Sequence, residues 1–233
     1  MTITLLLIAV LATVAGVWLL RQGIATKPWL ETGVAEEART PPIPAAKIGL
    51  AVFIAVATTL MVLLLSAYSI RREMADWSPP PRPLLLWANT AVLVVASVAL
   101  HAAVRAVRAG DREGTGNALL AGGVAGLVFV AGQLLAWRQL AQAGYLPAGN
   151  PADAFFYLIT AVHGLHVLGG LVALGRVGAT LRRGARMERL RLGVELCAAY
   201  WHFLLLAWLV LFATLAFSPS FDWLVALCTA PFR

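Results

Sequence analysis

Two histidines lie three residues apart inside the apolar segment FFYLITAVHGLHVLGGLVAL, residues 155–174. They are His163 and His166, and on a helix this spacing places both rings on one face. Imidazoles in such a segment can ligate a metal or a haem iron, relay protons, or form hydrogen bonds within a helix bundle. A choice among these roles depends on the elements that position the rings.

The composition is that of a polytopic membrane protein. Hydrophobic residues make up 61% of the 233 residues, charged residues make up 12%, and the mean hydropathy is +0.82. A soluble domain carries about a quarter charged residues. No segment alternates apolar and polar residues, so the pattern favours helices over a membrane barrel.

Six segments are apolar enough, over the roughly 20 residues that a membrane span requires, to be predicted as helices. They are residues 2–20, 47–70, 84–107, 117–137, 152–176 and 193–217. The predicted fold is therefore an all-α polytopic membrane bundle of about six transmembrane helices. Asn150 is predicted to cap the helix that opens with Pro151. The segment 2–20 has no basic residue before Arg21 and is interpreted as a retained helix, not a secretory signal.

The predicted organisation has three parts. Residues 1–46 form an amino-terminal helix and a cytoplasmic loop, 47–217 a five-helix bundle, and 218–233 a short tail on the outer surface. With these spans, thirteen Lys and Arg residues fall on one face of the membrane and five on the other. Positive residues mark the cytoplasmic side, so both termini are expected outside. The net charge of +7 then indicates topology and contact with anionic lipid, not nucleic-acid binding.

Polar residues inside the spans are costly in a bilayer and are functional candidates for that reason. They are Asn89, His101, Gln133, His163, His166, Glu195 and His202. Counting residues from the predicted ends of their helices places His166 and His202 at similar depth. We expect their two helices to pack together, with Gly164, Gly169 and Gly170 allowing close backbone approach.

Three readings of these polar residues remain open. A membrane haem b protein could use His166 and His202 as axial ligands, although bulky Tyr157 and Phe203 leave little room for a cavity. A proton relay would need more carboxylates than Glu195 alone. The residues favour a third reading, in which the imidazoles form hydrogen bonds that organise the bundle. Cys197 and Cys228 have no C-x-x-C spacing and provide too few sulfur ligands for a copper or iron–sulfur site.

The order of motifs resembles a known family. The segments FFYLITAVHGLHVLGGLVAL and VELCAAYWHFLLLAWLVLF resemble the last two helices of subunit III of the haem–copper terminal oxidases. Upstream, KIGLAVFIAVATTLMVLLLSAY, PLLLWANTAVLVVAS and GLVFVAGQLLAW resemble the three helices that precede these two in the family. The resemblance covers about residues 47 to 215, with all five helices in the same order.

The resemblance implies a non-catalytic accessory subunit of a cytochrome c or quinol oxidase, or of a nitric oxide reductase in some branches. It implies a bacterial inner-membrane protein that packs on the catalytic subunit I, with subunit II and small subunits as further partners. Haem and copper are expected in the partner subunits, with none in this chain, and bound phospholipid is expected. The implied polar core comprises His163, His166, Glu195, His202, Asn89 and Gln133, and the implied lipid headgroup contacts are Arg71, Arg189, Arg191 and Trp201.

The chain departs from the family pattern at three acidic positions. Ala57, Ala136 and Leu205 stand where the family usually has a carboxylate. A role of those carboxylates in proton handling therefore does not carry over to this chain. The expected scaffolding role does not depend on them.

Overall fold

The structure is a computed structural model, and it describes residues 44–81 and 84–216. It contains five α-helices: α1 (Ala45–Arg71), α2 (Leu85–Arg108), α3 (Arg112–Gln142), α4 (Pro151–Arg182) and α5 (Met187–Ala216). Each is long and apolar enough to cross a membrane, and the described ranges contain no strand. The predicted all-α membrane bundle is confirmed. The predicted helix at 2–20 and tail at 218–233 lie outside the described residues.

Three helices extend beyond their predicted apolar spans. Helix α3 begins at Arg112 instead of residue 117, α4 ends at Arg182 instead of residue 176, and α5 begins at Met187 instead of residue 193. The prediction ended each helix where charged residues begin. Charged residues limit the depth of a span in the bilayer, but arginine and glutamate are good helix formers, so the helices continue past that boundary.

Local signals set the actual helix ends. Asp111 caps α3, since its Oδ1 accepts a hydrogen bond from the backbone N–H of Gly114 at 2.9 Å. Asn150 caps α4 through the N–H of Ala152 at 2.8 Å, with a proline in the first turn, as predicted. Gly184 adopts a positive φ of 85° directly after α4 and ends it in the left-handed conformation that glycine favours.

Helices α2 to α5 form a four-membered ring. Each packs on its two neighbours in the order α2, α3, α4, α5 and back to α2, and α1 lies against α4 and α5. The connections between successive members of the ring are short, so neighbouring helices are antiparallel. The buried apolar side chains fill the centre of this ring.

Glycines on α3 and α4 leave space for large aromatic side chains of α5 at the helix interfaces of the ring. A Cβ on Gly170 would lie 3.1 Å from the ring of Tyr200, and a Cβ on Gly126 would meet the indole of Trp201. The expectation for α4 is therefore correct at Gly170 only. A Cβ on Gly164 or Gly169 would have no atom within 4 Å, so neither glycine permits a close helix approach. Successive residues differ by 100° around a helix, and only Gly170 faces α5.

Candidate functional site

The seam between α2 and α5 is joined by polar and aromatic contacts at several levels. Ser97 Oγ lies 2.5 Å from Nδ1 of His202, and the ring of His101 lies 6.0 Å from the His202 ring. One layer along, the indole N–H of Trp208 donates to Thr90 Oγ1 at 2.9 Å. The side chain of His202 therefore contacts α2 through Ser97 and His101. Sequence reasoning missed Ser97, although its position one turn before His101 placed it on the same helix face.

His163 lies in an aromatic pocket at the centre of the ring. Its side chain is fully buried, with ring centroids 5.8 Å from Phe129 and 5.2 Å from Trp208. Neither of its ring nitrogens has a hydrogen-bond partner among the described residues, and the same is true of the buried side-chain amide of Gln133 on α3. The contacts of the His163 ring that the structure shows are therefore packing contacts with Phe129 and Trp208.

Asn89 joins α2 to α3. Its amide is buried and donates to the carbonyl of Phe129 at 3.4 Å. The contact is possible because Gly132 has no side chain, and a Cβ there would collide with the Asn89 amide. One turn further along α3, the indole N–H of Trp137 donates to Thr160 Oγ1 at 3.0 Å.

His166 faces a different side of the bundle from His202. Its Nδ1 lies 2.7 Å from the carbonyl of Val162, and its ring lies 6.1 Å from Phe53 of α1. Tyr200 of α5 donates to the His166 carbonyl at 3.0 Å. Tyr200 and His202 are two residues apart, about 200° around α5, so His202 points away from His166. The two imidazoles do not form the facing pair that the haem b hypothesis requires.

Glu195 forms an ion cluster at the end of the bundle where α2 ends and α5 begins. Nη2 of Arg108 lies 2.9 Å from Oε1 of Glu195, and Nε of Arg191 lies 3.2 Å from the same oxygen. Nearby, the Arg112 guanidinium donates to the backbone carbonyls of Leu181 and Ala185. These contacts join the α2–α3 turn to the α4–α5 turn. The carboxylate is thus an ion-pair partner and not a free proton carrier.

The opposite end has its own ion pair. Arg71 forms two parallel hydrogen bonds with Asp76, at 2.7 Å and 2.5 Å, and Asn150 donates to the Asp76 carbonyl at 3.3 Å. The guanidinium stabilises the ionised carboxylate and holds the pKa of Asp76 below its usual value. The pair fixes the turn after α1 against the start of α4.

The four expected lipid headgroup contacts have different surroundings. The expectation for Trp201 is wrong, since its side chain is 1% exposed and packs against Gly126 inside the ring. Arg71 and Arg191 are held in the ion pairs described above. Arg189 is exposed on the first turn of α5. The contact of Trp201 had been implied by the family resemblance, and the structure turns its indole into the ring instead.

One buried acid was missed. Asp153 lies in the first turn of α4 with 4% of its surface exposed, and its Oδ1 has no hydrogen-bond partner among the described residues. Its position had a sequence signal, because an acidic residue three places after a capping Asn favours a helix start. The cap was predicted from Asn150 and Pro151 alone, and nothing in the sequence indicated that the Asp153 side chain would be buried.

The positions where the family usually has carboxylates are packed with apolar atoms. Ala57 and Ala136 are buried at 3% and 0% exposure, and Leu205 packs against the core. Among residues 44–81 and 84–216, no three His, Cys, Asp or Glu side chains gather closely enough to hold a metal ion. Cys197 is buried with a free thiol.

Comparisons with known proteins agree on one family. The family model described as cytochrome c oxidase subunit III matches residues 4–220. A cytochrome c oxidase subunit 3 of Synechocystis sp. is 31% identical over 173 residues, which cover 70% of this chain and 72% of that protein. The subunit 3 of Thermostichus vulcanus is 31% identical over 173 residues, covering 72% and 85%. A probable subunit 3 of Mycobacterium bovis is 33% identical over 149 residues, covering 61% and 71%.

Proposed function

The chain belongs to the cytochrome c oxidase subunit III family, and we propose that it packs against the catalytic subunit I as a helix-bundle scaffold. The family match over residues 4–220 makes it an accessory subunit III of a haem–copper oxidase. Subunit I carries the haem and copper chemistry in this proposal, and subunit II and small subunits are further partners.

The observation that carries the scaffold proposal is the use of the polar side chains within the bundle. His202 is bonded to Ser97, Trp208 to Thr90 and Trp137 to Thr160, each pair joining two helices. In a bilayer, where apolar surface gives helices no reason to associate, such contacts and close packing hold a bundle together. Side chains used in this way support a structural role.

The charge distribution supports an orientation in a bacterial inner membrane. The turns that carry Arg108, Arg112 and the arginines from Arg182 to Arg191 meet at one end of the bundle. Positive residues concentrate on the cytoplasmic side, so we place this end in the cytoplasm and both termini outside. Arg189 is the exposed candidate for a lipid headgroup at this surface. The division into residues 1–46, 47–217 and 218–233 is part of the same proposal.

The test is purification of the tagged chain in mild detergent, with an optical spectrum and mass identification of the proteins that accompany it. We expect a haem–copper subunit I in equal amount, with all haem assigned to that partner. A variant with His166→Leu and His202→Leu, purified as the same complex, should keep the haem spectrum unchanged. A chain that is isolated alone with bound haem, whose Soret band disappears in this variant, would overturn the proposal.

A further inference from the structure

The register between α3 and α4 follows from contacts at two levels of the ring. A Cβ on Gly126 would lie 3.0 Å from the side chain of Leu171, and the indole N–H of Trp137 donates to Thr160 at 3.0 Å. Between these two contacts α3 advances by eleven residues and α4 runs back by eleven, as expected of antiparallel helices with the same rise per residue. In this register, position 133 of α3 lies at the level of positions 163 and 164 of α4.

Gln133 and His163 face each other at that level. Gln133 follows Gly126 by seven residues, which is about two helical turns, so both lie on the side of α3 that contacts α4. His163 follows Thr160 by three residues on the matching side of α4, and its ring centroid lies 5.8 Å from that of Phe129 on α3. The two polar side chains are therefore neighbours across the interface between α3 and α4.

Both side chains are buried without a hydrogen-bond partner. His163 is 0% exposed and Gln133 is 4% exposed. Both nitrogens of the imidazole, and both the nitrogen and the oxygen of the amide, are unpartnered among the described residues. Such groups are costly inside a bilayer, and buried polar side chains nearly always bond to protein or to an enclosed water. A bound molecule between the two side chains would supply the missing partners.

The chemistry of the four unpartnered atoms selects the molecule. The amide of Gln133 donates through its nitrogen and accepts through its oxygen, and a neutral imidazole donates through one nitrogen and accepts through the other. In this form neither group carries a charge that would balance a bound ion. Water both donates and accepts, and a buried water typically makes about three hydrogen bonds. It is also small enough to remain enclosed where Phe129 is 0% exposed and Trp208 is 1% exposed.

We propose that Gln133 and His163 hold a buried water molecule at the centre of the ring. The water joins the amide on α3 to the imidazole on α4 by hydrogen bonds, beside the aromatic rings of Phe129 and Trp208. This site goes beyond the proposed scaffold function and does not depend on which subunits accompany the chain.

The first test detects the water itself by X-ray radiolytic footprinting of the purified complex. Hydroxyl radicals formed from a bound water oxidise the side chains beside it. Brief mixing with water enriched in the heavy oxygen isotope, just before exposure, distinguishes a slowly exchanging buried water from bulk water. We expect Phe129 and Trp208 to be oxidised with the light isotope, and the exposed Met74 to take up the heavy one. If Met74 is oxidised and neither buried ring is, the proposal is overturned.

A pair of variants locates the water. Gln133→Leu removes both polar atoms of the amide and should abolish oxidation of Phe129 and Trp208. The control Ser97→Ala removes a different buried polar group of the ring, the hydroxyl that contacts His202, and should leave this oxidation unchanged. Oxidation that persists in Gln133→Leu at the level of the control would show that the water lies elsewhere and would overturn the site.

The second test measures whether the two side chains depend on each other, by equilibrium unfolding in mixed micelles. In Gln133→Leu or His163→Phe alone, the remaining polar side chain keeps its burial and loses the bridge. The double variant removes both polar groups, so it should be no less stable than the less stable single variant. Additive losses would show that the two side chains share no ligand. Coupled losses without oxidation of Phe129 in the unmodified protein would indicate a direct hydrogen bond, and either result would overturn the proposal.

Discussion

Helix α1 and the ring of α2 to α5 differ in how much of each helix is buried. Only Ala57, Met61 and Tyr68 of α1 are buried. The ring helices bury nine, nine, ten and eleven residues in turn. The two regions have similarly apolar sequences, and α1 has the highest hydropathy of the five helices. Apolar character therefore does not decide which helices form the ring.

Packing and polar contacts explain the difference. Lipid chains are as apolar as leucine, so helices associate in a bilayer through close fit and interhelical hydrogen bonds. The ring has both, with glycines such as Gly126 opposite Trp201. Helix α1 attaches through aromatic contacts at two levels, with Phe53 beside His166 and Tyr200, and Tyr68 beside Phe155. Between them lies a small apolar cluster of Met61, Ile159 and Leu211. The comparison indicates that α2 to α5 form a firmly packed ring and that α1 is attached to this ring loosely.

The largest expected effect is in the ring. Trp208→Ala removes a side chain that packs on Phe129 and His163 and donates to Thr90, and it should lower the free energy of unfolding by about 3 kcal/mol. The measurement is equilibrium unfolding of the full chain in mixed micelles. Leu63→Ala, at an exposed position of α1, is the control and should change little. Equal losses of unfolding free energy in the two variants would show that the ring is not packed more firmly than α1.

A smaller effect is expected where α1 attaches. Phe53→Ala removes the two aromatic contacts to α4 and α5, each typically worth about 1 kcal/mol. Hydrogen exchange should then become faster in α1 and remain unchanged in α2 to α5, because α1 opens without the ring. Val56→Ala on the exposed face of the same helix serves as the control. Faster exchange throughout the ring would contradict the loose attachment of α1.

The sequence predicted the five spans within the described residues well, because long apolar segments and caps are local features. Asn150 and Pro151 predicted the start of α4, and the similar depth of His166 and His202 predicted that α4 packs on α5, whereas the contact of His202 and Glu195 with α2 was not predicted. Both predictions use only the cap residues and the rise per residue of a helix, which are read from each segment separately.

The rotation of each helix about its axis was harder to predict from the sequence. Apolar residues surround these helices on all sides, so the pattern does not mark the buried face as it does in a soluble protein. For that reason Gly164 and Gly169 were placed at an interface with α5 that only Gly170 forms. The ion pair between Arg108 and Glu195 could not be predicted from local sequence. The two residues are 87 positions apart, and only the packing of α2 against α5 brings them together.

The smallest effect is expected for a variant that compares the contribution of a hydrogen bond with that of close packing in the ring. Ser97→Ala removes the hydrogen bond to His202 and leaves the neighbouring packing in place. Interhelical hydrogen bonds in membrane proteins contribute about 0.6 kcal/mol on average, so this variant should lose far less stability than Trp208→Ala. Unfolding in the same mixed micelles measures both, and Ser97→Thr retains the hydroxyl as a control. If Ser97→Ala destabilised the chain as much as Trp208→Ala, the hydrogen bond between α2 and α5, and not close packing, would hold the ring together.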